Sequence, residues 1–105
     1  MLHEDPDFHP LTLLTVVCEA ELENLLAEDV MRLGARGYTA IDARGRGSHG
    51  CRDAAWRHSG NIRVEILCDP ATGRAIARHL QQRYFADYAM VCYLSEVQVL
   101  RQEKF

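Results

Sequence analysis

Leu11 to Val17 (LTLLTVV) is an almost unbroken run of apolar and β-branched residues, which predicts a first strand buried on at least one face. The period then changes. Leu22, Leu25, Leu26, Val30 and Leu33 recur at helical spacing, Glu19, Glu21 and Glu23 sit at the positive end of the helix dipole, and Gly34 is placed to stop the helix. Tyr38 to Ala43 alternates again and predicts a second strand. Positions 44 to 59 hold little that could enter a core and predict a long loop, which in so short a chain carries function or lacks order.

Beyond that loop, Ile62, Val64, Ile66 and Cys68 share one face of a third strand, with Arg63 and Glu65 on the other. Asp69-Pro70 opens a second helix as capping acid and first-turn proline, with Ile76, Leu80 and Tyr84 as its apolar stripe and an end near Phe85. Ala89 to Leu94 predicts the last main strand, prolonged by the alternation of Val97 and Val99. The order β-α-β-β-α-β is the ferredoxin-like α+β arrangement, two helices on one face of a four-stranded antiparallel sheet. Leu67, Val91 and Tyr93 are too apolar to leave the opposite face in water, and self-association would cover them.

A length of 105 residues supports one domain, expected over 11–105 behind a flexible segment at 1–10. No apolar run approaches the roughly 20 residues of a membrane helix, and the acidic, proline-marked start is unlike a secretory signal, so a cytoplasmic location is expected. Charge is segregated: residues 1–29 carry eight acids and no Lys or Arg, whereas 30–63 carry seven Arg and two Asp. A net charge of −3 argues against a nucleic-acid partner but leaves room for a small anion at the basic stretch. Cys18, Cys51, Cys68 and Cys92 show no CxxC spacing and read as reduced thiols.

The chemistry concentrates in positions 36 to 52. Gly45, Gly47 and Gly50 free the backbone to aim amides at a ligand, and Arg44, Arg46 and Arg52 offer planar donors that suit phosphate or carboxylate. No side chain there is set to break a bond: Asp42 and Asp53 can neutralise nearby Arg, and Cys51 lacks an oxyanion partner. A binding protein with no catalytic residues or catalytic cofactor is therefore expected, and not an enzyme. His49, Cys51 and His58 could gather a metal, although their spacing fits no zinc pattern; a metal-responsive, ferredoxin-like trimeric binder is the alternative, with no metal site assigned. Trp56 could pack on a ligand or fold back onto the domain.

Three motifs together, Gly34-Ala35-x-Gly37-Tyr38-Thr39, Gly45-x-Gly47-Ser48 and Tyr84-Phe85-x-Asp87-Tyr88-Ala89, give the chain a resemblance from Leu11 to Leu100 to PII-like signalling proteins of the carboxysome-associated PII and SbtB type. The resemblance implies a homotrimer whose clefts between subunits bind adenine nucleotides, and a T-loop at about 44–59 that responds to ligand. Carried over by position, the nucleotide-binding set is Gly37, Tyr38, Thr39, Gly45, Arg46, Gly47, Ser48, His49 and Arg52, with Asp87, Tyr88, Ala89 and Met90 supplied by the neighbouring subunit. ADP or AMP is the expected ligand, with ATP and cyclic AMP as alternatives; His49 and Gly50 depart from the SbtB pattern and leave that choice open. The resemblance further implies a link to inorganic-carbon uptake or carboxysome function, with bicarbonate a candidate second ligand at Arg44, Arg46 and Arg52. A bicarbonate transporter or carboxysome-related protein is the implied partner, and association with either would qualify the cytoplasmic location.

Overall fold

The computed structural model describes residues 6–47, 50–52 and 60–105. Strand β1 spans His9–Glu19, α1 spans Glu23–Arg32, β2 spans Thr39–Ala43, and two short strands follow, β3 at Gly45–Gly47 and β4 at Gly50–Arg52. Strand β5 covers Asn61–Cys68, α2 covers Pro70–Tyr84 and β6 covers Val91–Val99. β2, β5, β1 and β6 form one antiparallel sheet in that order, with β1 and β5 in its interior. The expected ferredoxin-like α+β fold is present.

The pleat explains the core. Thr12, Leu14, Val16 and Cys18 of β1 and Ile62, Val64, Ile66 and Cys68 of β5 are buried, and Leu26 and Val30 of α1 and Ile76, Leu80 and Tyr84 of α2 complete the cluster. Each such aliphatic side chain removed from water contributes about 1.5–3 kcal/mol. Helix α2 lies close because Gly73 lacks a side chain: a Cβ there would meet Leu94, Thr12 and Cys68 at 3.2–3.3 Å.

Both helices begin or end where the local chemistry dictates. Gly34 adopts φ 114°, Ala35 N–H donates to the Val30 carbonyl at 2.9 Å and Gly34 N–H to that of Met31 at 3.2 Å, a Schellman stop. Asp69 Oδ1 accepts from Thr72 N–H at 2.8 Å at the start of α2, ahead of Pro70.

Strand β1 starts at His9, ahead of the predicted Leu11. Pro10 is tolerated there because it pairs only with Gln98 of β6; pairing with β5 starts at Thr12, so one side of Pro10 needs no ladder donor. Positions 44 to 59 are more than a loop, since β3 and β4 pair Gly45 with Arg52, Arg46 with Cys51 and Gly47 with Gly50. The ribbon is a backbone pairing over Gly- and Arg-rich sequence, which shows no hydrophobic alternation.

A buried carboxylate ties the helices together. Asp29 of α1 is 3% exposed, and its Oδ2 accepts from the Tyr84 hydroxyl at 2.5 Å while Oδ1 accepts from Arg32 at 2.8 Å and Arg83 at 3.2 Å. His79 Nε2 lies 3.4 Å from Oδ2, within ion-pair distance but without hydrogen-bonding geometry. Burial pushes the Asp29 carboxyl up, but the donors from Tyr84 and Arg32, the Arg83 charge and the nearby His79 together outweigh it and hold the group below its ordinary value. Burial, then the bond to Asp29, pushes the Tyr84 hydroxyl up. The arginine side chains are 57% and 44% exposed and screened by solvent, which makes buried Tyr84 the least screened of the donors.

Candidate functional site

The end of α1 delivers the chain into a cleft of ≈ 240 Å³ lined by Arg36, Gly37, Tyr38, Thr39, Glu65, Leu67, Lys104 and Phe105. Its position follows from register. Thr39 opens β2 directly opposite Glu65 of β5, and the short helical turn at Gln102–Lys104 brings Lys104 beside them. The Tyr38 hydroxyl donates to Glu23 Oε2 at 3.1 Å, which fastens the cleft wall to the first turn of α1; that bond, then burial and the Glu23 charge, raises the tyrosine pKa.

Chemically the cleft suits an anion with an apolar body. Arg36 and Lys104 supply cations, Leu67, Tyr38 and Phe105 supply contact area, and Gly37 leaves space, since a Cβ there would meet nothing within 4 Å. It is smaller than the roughly 300–1,000 Å³ of a typical ligand pocket.

Of the residues expected at the site, the cleft gathers Gly37, Tyr38 and Thr39. Arg44, Gly45 and Arg46 lie outside its lining: Arg44 falls between β2 and β3, Gly45 and Arg46 lie in β3, and all three are exposed. Gly47 and Arg52 are placed in the β3–β4 ribbon by their backbones, while Ser48 and His49 lie outside the described residues, as does the side chain of Arg52. Asp87, Tyr88 and Ala89 follow α2 as an exposed turn, Asp87 and Tyr88 N–H both donating to the Tyr84 carbonyl at 3.1 and 3.0 Å. Met90, by contrast, is built into the core at 4% exposure and offers a ligand no side chain.

Arg36, Glu65, Leu67, Lys104 and Phe105 were absent from the expected set. Glu65 and Leu67 were visible as the outward-facing alternates of β5. Lys104 had no sequence signal, because it reaches β5 only through a turn that follows the last strand, far along the chain. Among the described residues, no three His, Cys, Asp or Glu side chains gather as metal ligands; Trp56 and His58 lie outside them, as does the side chain of Cys51.

Residues 11–104 match the family described as Nitrogen regulatory protein P-II. The chain belongs to the P-II family. A protein from Thermus thermophilus, described as a PII-like signaling protein, superposes with a TM-score of 0.81 at 44% identity, covering 94% of this chain and 98% of its own. CPII from Thiomonas intermedia, a PII-like protein bound to ADP, AMP and bicarbonate, superposes with a TM-score of 0.83 at 22% identity, covering 93% and 95%. At that identity the likeness carries the fold. The same protein bound to ADP and bicarbonate gives a TM-score of 0.82 at 23% identity, covering 93% and 96%. This P-II family member is thus a PII-like regulator with the ferredoxin-like fold, and no helix among its described residues is long and apolar enough to cross a membrane.

Proposed function

We propose that this protein is a homotrimeric sensor that binds an adenine nucleotide, ADP or AMP foremost, between adjacent subunits and signals through its T-loop. The observation that carries the reading is the half-formed cleft, where Gly37, Tyr38 and Thr39 meet Arg36 and Lys104 while the residues of the 87–90 turn and the T-loop base remain outside it. A second copy can complete such a site.

The open side of the sheet supports the assembly. Val91 and Tyr93 are 48% and 55% exposed, and Val97, Leu11, Leu13 and Leu67 share their face through the strand register. An apolar sheet face of this kind marks an interaction surface. Bicarbonate is proposed as second ligand at Arg44, Arg46 and Arg52, as CPII holds it together with ADP. Binding that differs between two T-loop states would connect carbon supply to energy charge, with a bicarbonate transporter or carboxysome-related protein as target of a cytoplasmic regulator that works by binding and not by catalysis.

Isothermal titration with ADP, AMP, ATP and cyclic AMP, each with and without bicarbonate, tests the reading. Saturable binding of ADP or AMP is expected. Absence of heat for all four nucleotides at millimolar concentration would overturn it.

A further inference from the structure

Asp29 holds both of the segments that face the proposed nucleotide. On the α1 side its backbone carbonyl accepts from Leu33 N–H at 3.1 Å, at the stop that releases the chain into Arg36, Gly37, Tyr38 and Thr39. On the α2 side its carboxylate accepts from the hydroxyl of Tyr84, the residue whose carbonyl anchors Asp87 and Tyr88. One residue thus carries two helix ends. The Tyr84 ring also lies 6.1 Å from that of Tyr88, and the Arg83 guanidinium sits 5.5 Å from the Tyr84 ring centre, so that ring is held by both neighbours.

We propose that Asp29, acting through Tyr84, is a positioning residue that sets segment 36–39 and segment 87–90 relative to one another. Neither Asp29 nor Tyr84 lines the cleft, so the effect is transmitted through the helix ends and not by contact with ligand. The inference rests on the nucleotide reading above. In the proposed trimer the two segments of one chain serve different clefts, so the Asp29–Tyr84 contact is a mechanical link between neighbouring sites.

The link has a physical basis in directness and burial. Asp29 and Tyr84 are both buried, and two elements joined by a buried charged hydrogen bond move together unless that bond breaks. Arg32, Arg83 and His79, the other charged or titratable groups facing the carboxylate, keep Asp29 compensated when Tyr84 is altered. Removing the hydroxyl therefore loosens the tie without leaving a bare buried charge.

The experiment is hydrogen exchange on the full-length protein without nucleotide, followed by ADP titration, for wild type, Tyr84→Phe and Arg83→Gln. Tyr84→Phe keeps the ring and removes the donor. Amides of 33–39 and 86–90 should exchange faster in this variant while those of β1 and β5 stay unchanged, a selectivity that global destabilisation does not produce. ADP affinity should fall roughly 3- to 30-fold, the range for changes acting through a packed network, with the assembly mass unchanged. Arg83→Gln should do much less. Acceleration across all elements, or at 86–90 without 33–39, would overturn the proposal, as would unchanged ADP affinity. Should Tyr84→Phe fail to fold, native-state exchange of the wild type decides: Leu33, Asp87 and Tyr88 should open with one common free energy, and independent openings would refute the tie. A wild type that binds no ADP overturns the nucleotide reading, and the exchange pattern then tests the mechanical link by itself.

Discussion

The two faces of the sheet are made by the same strands and have opposite fates. On one, Leu14, Val16, Val64 and Ile66 are no more than 1% exposed beneath α1 and α2. On the other, Val91 and Tyr93 are about half exposed, and Leu13 and Leu67, which pair with each other, lie on the same face. Apolar residues alternate onto both, so the difference lies in what covers them. The first face is closed by the chain's own helices, and the second is the one the proposed assembly would cover.

A charge on the open face should have the largest effect. Val91→Asp is expected to yield a folded monomer with normal far-ultraviolet circular dichroism and no detectable nucleotide binding, because each cleft loses the wall supplied by its neighbour. A trimer by light scattering, or a monomer that still binds ADP, would contradict the assignment. On the closed face Ile66→Ala should instead cost the fold about 2–5 kcal/mol, read by urea denaturation. Shortening a fully buried side chain leaves a cavity the helices cannot fill, whereas Val91→Ala should cost far less in the monomer.

Much of this contrast was legible before the fold was known. Alternation in 62–68, the Gly34 stop and the Asp69-Pro70 start are local, and local chemistry determines them. Asp29 was illegible for the opposite reason: it reads as one more acid in an acid-rich segment, and its hydroxyl partner is 55 residues away. The β3–β4 ribbon escaped notice because its residues, Gly45, Arg46, Gly47, Gly50, Cys51 and Arg52, carry no apolar alternation. Of the expected site, Gly37-Tyr38-Thr39 could be placed because its motif is contiguous, while Lys104 reaches the same cleft only through tertiary structure.

The β3–β4 ribbon, the base of the proposed T-loop, belongs to neither face, and substitutions there should leave both intact. Arg46→Ala and Arg52→Ala are each expected to weaken ADP binding by about 1–3 kcal/mol, the range for a lost charged hydrogen bond, with unchanged stability. Arg57→Ala, farther along the chain, should affect affinity less. Equal losses for all three in calorimetry would indicate diffuse attraction in place of a formed site.

The smallest effect belongs to the tie on the closed side. Folding lowers the Asp29 pKa from 3.8, so its contribution is present above that value and is lost as pH falls through the lower folded-state value. Tyr84 has the reverse sign: its raised pKa favours the neutral hydroxyl, and stability from it persists below its ordinary value of 10.0 and is lost only as the pH rises toward the higher folded value. Asp29→Asn should therefore flatten the acid limb of a stability–pH curve below about pH 4, while Asp69, also lowered by folding through its bonds to Thr72, retains part of the slope. A curve parallel to wild type in denaturant titrations from about pH 6 to about pH 3 would show that the carboxylate is not held as described.

Whether two copies build one nucleotide site is decided by native mass spectrometry of the protein with ADP. A species of three chains carrying up to three ADP is expected, with no ADP retained by single chains. ADP bound to a monomer as tightly as to any assembly would contradict it.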